Sequence, residues 1–513
     1  MKRFNLLTEK IIRVRYENGK KEELTLPGVL SRLSATDIES FSALQAHQEQ
    51  AWYCFLVQLS AMAMHTGGVQ EIAADETGWA QRLRSLTKEF PQDEPWCLVV
   101  EDISKPAFMQ TPVPEKTFDV YKGTCRTPDE IDTLITSKNH DLKSSRFMAP
   151  TQDNWIFALI CLQTTQGFLG RGNYGIVRMN GGFANRPFLS MGKTEFFSTR
   201  FKRDSLRLTR KYSEICQKNG YLHKNGKQLL WLCPWDGKNQ LKIDELDPYF
   251  IEICRRLRFF IAGETLCCKS ANSEEYLIMN DGVNGKTGDP WNAINIGEAK
   301  SFSLSSSGFG YKIVEQLLFG STFQKPICFD LEKEDTGEML FICRGLVRGQ
   351  GITEGIHERK ILIPGKIRFM LNDDEGTQKL SKVSGQMVKD ASDFTNKVFK
   401  MAVFTLLQPG KEEFDFNDKR PQKWSERLDE EIDRGFFKKL WKNMEKGYEE
   451  MRHDWLTWLQ EKGRNLLTQA FDSVPLPSVR KYKVLADSEG RFNDSFFKTF
   501  EFMKPQKNGG AHA

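Results

Sequence analysis

The chain has 513 residues, with 73 Lys and Arg against 68 Asp and Glu, a formal charge of +5, and 27% charged residues overall. At about 150 residues per domain, that length corresponds to about three domains or to one large irregular body with an appendage. So balanced a charge excludes a histone-like or arm-like nucleic-acid binder and leaves nucleic-acid contact to local patches.

The first stretch alternates as strands do. Ile11 to Tyr16 and Glu23 to Leu26 flank a turn at Glu17-Asn18-Gly19-Lys20, and an Asn-Gly pair in that place predicts a hairpin. From Ala35 a helical spacing is expected through Ile38, Phe41, Leu44, Trp52, Phe55, Leu59 and Met62. His47 and His65 lie on or near it without a paired carboxylate motif and read as packing or surface residues. From about Glu94 to Phe329 the chain is punctuated by Gly, Pro and Asn, with helical period only near Asn154 to Gln163 and Pro248 to Arg258.

The texture changes near Asn372. Leu380, Val383, Met387, Ala391, Phe394, Val398 and Met401 form one apolar stripe, and Leu428, Ile432, Phe436, Leu440, Met444, Tyr448, Met451, Trp455 and Leu459 form a second, unbroken one that reads as a single helix. Breaks fall at Gln408-Pro409-Gly410 and at Val474 to Pro477, and Asp494 to Phe502 reads as a last helix. The expected fold is α+β: a large irregular mixed α/β N-terminal body with long loops over 1–371, then a C-terminal antiparallel four-helix bundle over 372–513.

Hydrophobic residues make up 39% of the chain, including 37 Phe and 11 Trp, and the mean hydropathy is −0.49. This is the composition of a globular protein. The longest apolar run, Trp155 to Leu162, is far short of the roughly 20 residues that cross a bilayer. Glu9 and Lys10 stand where a signal peptide needs its apolar stretch, so a cytoplasmic protein without a membrane partner is expected. The 11 Cys contain no C-x-x-C pair and read as reduced, mostly core thiols. Neither Cys233 nor Cys267-Cys268 has a His or Cys at zinc-ligand spacing, so no metal is expected.

Two motifs look like nucleotide sites. Gly170-Arg171-Gly172-Asn173-Tyr174-Gly175 matches G-x-G-x-x-G, but Met179-Asn180-Gly181-Gly182 follows where a helix N-terminus is needed, and no H-R-D or D-F-G element accompanies it. Gly285-Lys286-Thr287 resembles the end of a P-loop, yet Asn280 occupies the place of the required glycine. No nucleophile elbow, HExxH or acidic metal cluster occurs, so neither an enzyme nor a cofactor is expected. What remains of the glycine segment is either a tight structural loop or a backbone that can approach something flat or charged.

Arg344 to Thr353 follows the strand-like Met339 to Cys343 and precedes His357 to Pro364, which predicts a hairpin with Gly349-Gln350-Gly351 at its tip beside Arg348. A Gln between glycines either protrudes, so that its amide meets base edges while the Arg meets phosphate, or is a solvated turn residue.

In order along the chain, Asn5-Leu6-Leu7, Pro106-Ala107-Phe108-Met109-Gln110-Thr111, the glycine segment 167–182, Asp289-Pro290-Trp291, the Gly-Gln-Gly hairpin and the C-terminal bundle resemble the CasA family. These are the large subunits of the type I-E CRISPR surveillance complex Cascade. The resemblance implies a non-catalytic subunit that works with the other Cascade subunits, a guide RNA, double-stranded target DNA and a helicase-nuclease effector. It implies reading of the protospacer-adjacent motif from the minor groove, with Gln350 as a wedge flanked by Gly349 and Gly351. Gly170, Gly172, Asn173 and Gly175 would lie along the groove, and Lys300, ahead of Phe302, is the candidate minor-groove lysine. The guide-handle loop would fall between about Thr124 and Pro150, with Lys138, Lys143 and Arg146 as phosphate partners. The family pattern has Asn-Gln-Ala where this chain has Gly-Gln-Gly, so one polar reader is missing. The competing expectation is a scaffold protein whose bundle binds protein partners without touching nucleic acid.

Overall fold

The hairpin predicted by Asn18-Gly19 forms: β1 (Ile12–Tyr16) pairs antiparallel with β2 (Lys21–Leu24), and Gly19 takes φ 80° in the turn. The next stretch departs from expectation. Leu26–Ala35 is a separate helix, α1, Ile38–Phe41 is a strand, β3, on the other side of β1, and α2 spans only Glu49–Thr66. Ile38 and Phe41 suit either a helix or a strand by spacing, and pairing with Val14 and Tyr16 decides for the strand. Every residue of α2 from Ala51 to Met64 is buried, so no polar face marks where that helix begins.

The computed structural model describes residues 3–35, 37–73, 75–132, 149–181, 186–332, 335–349, 352–411, 413–475 and 478–505. It divides into one unit of Met1–Phe309 with Thr322–Ile363 and a second of Gly310–Ser321 with Pro364–Ala513.

The first unit continues with α3 (Glu76–Ser85), β4 (Gly123–Cys125) and α4 (Gln152–Thr165), the last capped at Thr151, whose backbone N–H donates to Asn154 Oδ1 at 3.0 Å. After β5 (Phe188–Gly192) comes α5 (Phe197–Asn219), a long helix that the sequence reading passes over. Its buried face carries Arg200, Asp204 and Arg207 beside Phe201, Leu208 and Tyr212, so charge hides the apolar period. It stops at Gly220 in the left-handed region, φ 74°.

Three strands follow β6 (Lys227–Leu229): β7 (Leu246–Ile251), β8 (Arg256–Ala262) and β9 (Thr265–Ala271). Pro248 to Arg258 is therefore strand and connection, where a helix is expected. All six residues of β7 are buried, and such a run has no periodicity to tell strand from helix. Strand β9 pairs with both β8 and β4. Short strands β10 (Ile294–Asn295), β11 (Lys300–Ser301) and β12 (Phe323–Gln324) make a small sheet. The last sheet runs β14-β13-β5, with β13 (Met339–Gly349) and β14 (Ile352–Ile363) forming the long predicted hairpin. Phe188 of β5 and Ile342 of β13 belong to the same core cluster as α2 and α4, where Trp52 meets Phe157 at 5.0 Å between ring centroids.

In the second unit, α6 (Tyr311–Phe319) and α7 (Gly365–Leu371) precede four long helical stretches. The first is α8 (Asp374–Asp393), running through a π-helical turn at Phe394–Phe399 into α9 (Lys400–Leu407). The others are α10 (Arg420–Asn443), α11 (Tyr448–Ser473) and α12 (Ser478–Thr499). Leu428 to Leu459 is thus two helices with a turn before Gly447, because both present apolar faces to one core and the spacing carries across. The last helix starts at 478, well before Asp494, since Val479 and Tyr482 are 96% and 80% exposed and give no inward stripe there. Gly463 lets Phe394 close on α11, since a Cβ there would lie 2.7 Å from the Phe394 ring. No helix among the described residues is long and apolar enough to cross a membrane.

Candidate nucleic-acid interface

The hairpin register sets the stem of the first candidate site. Arg348 pairs with Thr353 and Gly349 with Ile352, after a bulge between Val347 and Arg348. Gln350 and Gly351, which join the strands, lie outside the described residues, as do Lys138, Lys143 and Arg146. Strand β5 supports β13 only from Leu340 to Arg344, so beyond that point the stem is two-stranded.

Arg344 closes the supported part of the stem, with its Nη1 2.5 Å from Glu49 and its Nη2 3.3 Å from Glu358. Further out, Arg348 turns inward and donates from Nη1 to Gln166 Oε1. Burial pushes the Arg348 guanidinium down to about 10, so it keeps its charge at neutral pH. Arg348 therefore binds the hairpin stem to the start of the glycine segment, whereas the sequence reading gives it a phosphate.

The glycine segment is held by backbone bonds. Asn173 N donates to the Gly170 carbonyl at 2.9 Å, Leu169 N to the Asn173 carbonyl at 2.9 Å, and Ile176 N to the Gln166 carbonyl at 2.9 Å. Arg255, which no motif singles out, donates to the carbonyls of Tyr174 and Gly167. The glycines serve different ends. A Cβ at Gly175 would lie 2.5 Å from the Gly167 carbonyl carbon, so this residue is a close backbone approach. Gly170, at φ 105°, faces open space, and Gly172, at φ 88°, faces Asn272. Gly175 is thus a structural pinch, while Gly170 has open space where a Cβ would stand. No helix follows: Gly175 leads to the buried Ile176, Val177, Arg178 and Met179, which removes the dinucleotide reading.

The far end of the segment reaches the third candidate. Asn180 Nδ2 donates to the Ser301 carbonyl at 2.9 Å, next to Lys300, which is half-exposed and 2.9 Å from Glu298. The segment thus touches the hairpin stem at Gln166 and the Lys300 strand at Asn180.

Under it lies a buried polar layer. Val177 N donates to Glu252, whose carboxyl burial pushes up to about 7 with Arg178 at 4.0 Å. Arg186 grips Asp289 at 2.5 and 3.0 Å, and although burial alone would raise the Asp289 carboxyl, Arg186 holds it below its ordinary value. Asp289 also accepts from Trp291 N at 3.1 Å, so the Asp-Pro-Trp element is a buried structural corner.

His47 has a carboxylate after all: its Nε2 is 2.7 Å from Asp132, while Gln48 donates to the other oxygen at 2.5 Å. The two residues are 85 apart in sequence, beyond the reach of any local motif. With Cys161 they place three ligand-type atoms within 4.8 Å of one another, against an expectation of no metal. A hydrogen-bonded pair with a second donor on the carboxylate satisfies those groups without an ion.

No protein-family model matches the chain, and no curated protein is similar to it in sequence. Solved structures share its fold. The CRISPR-associated protein Cse1 from Acidimicrobium ferrooxidans superposes with a TM-score of 0.65 at 14% identity, covering 98% of this chain and 100% of that one. CasA of Thermus thermophilus gives 0.61 at 13% identity, over 97% and 100%. A chain of a CRISPR RNA-guided surveillance complex gives 0.56 at 11% identity, over 97% and 100%. The α+β architecture of this chain is the Cse1/CasA fold from end to end.

Proposed function

We propose that the chain is the non-catalytic large subunit of a type I-E Cascade complex in the cytoplasm, reading a short motif in duplex DNA and starting strand separation. The observation that carries this is the juxtaposition, within a Cse1-type fold, of an open glycine tip with a long hairpin stem, joined by Arg348 and Gln166. Such a pairing suits a minor-groove reader. Small residues let backbone approach the groove, a few amides and cations read its degenerate pattern, and a wedge offsets unstacking of a few kcal/mol per step with new contacts.

In this reading Gly170, Gly172, Asn173 and Gly175 form the groove-facing loop, and Lys300 supplies a cation. Gln350, between Gly349 and Gly351, enters the first base pair, and Arg348 fixes the direction of the stem. Lys138, Lys143 and Arg146 hold the guide-RNA handle, and the helical unit serves the helicase-nuclease. Sequence is left to guide pairing, so the subunit only tips a near-balanced strand exchange.

The test uses the chain assembled with the other Cascade subunits and a guide RNA. Duplex carrying the motif should bind more tightly than the same duplex with the motif scrambled, and affinity should fall as salt rises because phosphate contacts release counterions. Binding indifferent to both motif and salt would instead mark a protein-binding scaffold.

A further inference from the structure

Beside the glycine tip stands a polar side chain that none of the motifs contains. Asn272 follows β9 and is exposed. A Cβ on Gly172 would lie 2.9 Å from its Cγ and 3.0 Å from its Nδ2, so the absent side chain is what makes room for this amide. Its neighbour Ser273 donates from N to the Gly172 carbonyl at 3.1 Å, and the Tyr276 ring packs at a tilt against Tyr174 with ring centroids 4.9 Å apart. The turn is anchored on its other side too, since Glu274 N donates to the Gly237 carbonyl at 2.7 Å. Asn272 is thereby held at the loop by both its own turn and its partner's backbone.

We infer that Asn272 is a specificity-determining residue, an amide that reads one base pair of the motif in the minor groove beside Gly172. The inference rests on the proposed function. Its chemistry is that of an amide, which carries both a donor and an acceptor. It can meet the purine N3 and pyrimidine O2 acceptors or the guanine amino group, the features by which the minor groove separates A·T from G·C. The tip has limited other means. Asn173 on the same loop is partly buried, Arg171 is an exposed cation suited to phosphate, and of the two exposed acids that follow Ser273, Glu274 pairs with Lys238 at 3.0 Å.

The experiment measures affinity of the complete guide-loaded complex for duplexes in which each base pair of the motif is exchanged in turn. Wild type should show one position where A·T and G·C differ by about tenfold, while reversing the pair at that position changes little. Asn272→Ala should abolish that difference and leave discrimination at other positions intact. Gly172→Ala, which crowds the amide, should blunt the same position, whereas Arg171→Ala should weaken all duplexes alike and lower the salt slope by about one. If Asn272→Ala keeps the full wild-type pattern, the inference is overturned and the proposed function stands. If wild type shows no motif dependence at any position, both fall together.

Discussion

At Gly175 the backbone passes so close to Gly167 that even a methyl group has no place, while Gly170 has nothing within 4 Å of a Cβ. Gly175→Ala should therefore lower stability by roughly 2 kcal/mol or more through forced backbone movement. Gly170→Ala, strained only by its φ of 105°, should cost about 1–2 kcal/mol. Thermal unfolding of the two variants checks the order, and a larger loss at Gly170 would contradict it. The G-x-G-x-x-G spelling gives both residues the same meaning, and only the three-dimensional neighbours separate them. Glu252 makes a second residue-scale case. Burial raises its carboxyl to about 7, above the usual carboxylate range, so the folded state prefers the proton and ionisation is unfavourable. Unfolding free energy should accordingly fall as pH rises from about 4.5 to about 7, by an amount on the order of 3 kcal/mol for this group. Glu252→Gln keeps an acceptor for Val177 N and removes the charge. Its stability relative to wild type should improve with pH across that window, and a pH-independent difference would refute the assignment.

At the scale of elements, the hairpin is two-layered in its support. From Leu340 to Arg344 strand β13 is held between β14 and β5, but beyond Arg344 its outer half pairs with β14 alone among the described strands, with Gly345 packed close to Leu304 and Arg348 bonded to Gln166. A two-stranded ribbon is marginal by itself, so the anchor carries more weight than an exposed hydrogen bond would. Arg348→Ala should speed amide hydrogen exchange several-fold in Gly345 to Gly349 and leave Leu340 to Cys343 protected. Uniform acceleration along the strand would mean that Arg348 stabilises the whole sheet instead. This hairpin was legible in sequence because apolar runs flank a glycine tip, as were α4 and the stripes of α8 and α11. Other elements were hidden for identifiable reasons. The buried arginines and aspartate of α5 look like a solvated face, β7 is apolar throughout, and β3 shares its Ile38 and Phe41 spacing with a helix. The Asp132 partner of His47 and the Arg255 clamp on the glycine loop are long-range contacts that one sequence cannot display.

At the scale of the whole molecule, the near-neutral charge fits the proposed function, in which the subunit must stay off random DNA. Charge is local and largely paired inside the first unit: Arg186 with Asp289, Arg203 with Asp335, Arg344 with Glu49. Among the described residues of the proposed face, Arg171 is exposed and Lys300 half-exposed beside Glu298. On the proposed function, such a surface should give modest non-specific affinity and leave selection to the groove and the guide. The central claim is that Gln350, carried on the anchored hairpin, opens the first base pair. It is tested by comparing Gln350→Ala and wild-type complexes, loaded with guide RNA, on intact motif-containing duplex and on the same target already melted beside the motif. The variant should form the guide-target hybrid much more slowly on intact duplex and nearly normally on the melted one; equal impairment on both substrates, or none on either, would contradict the account.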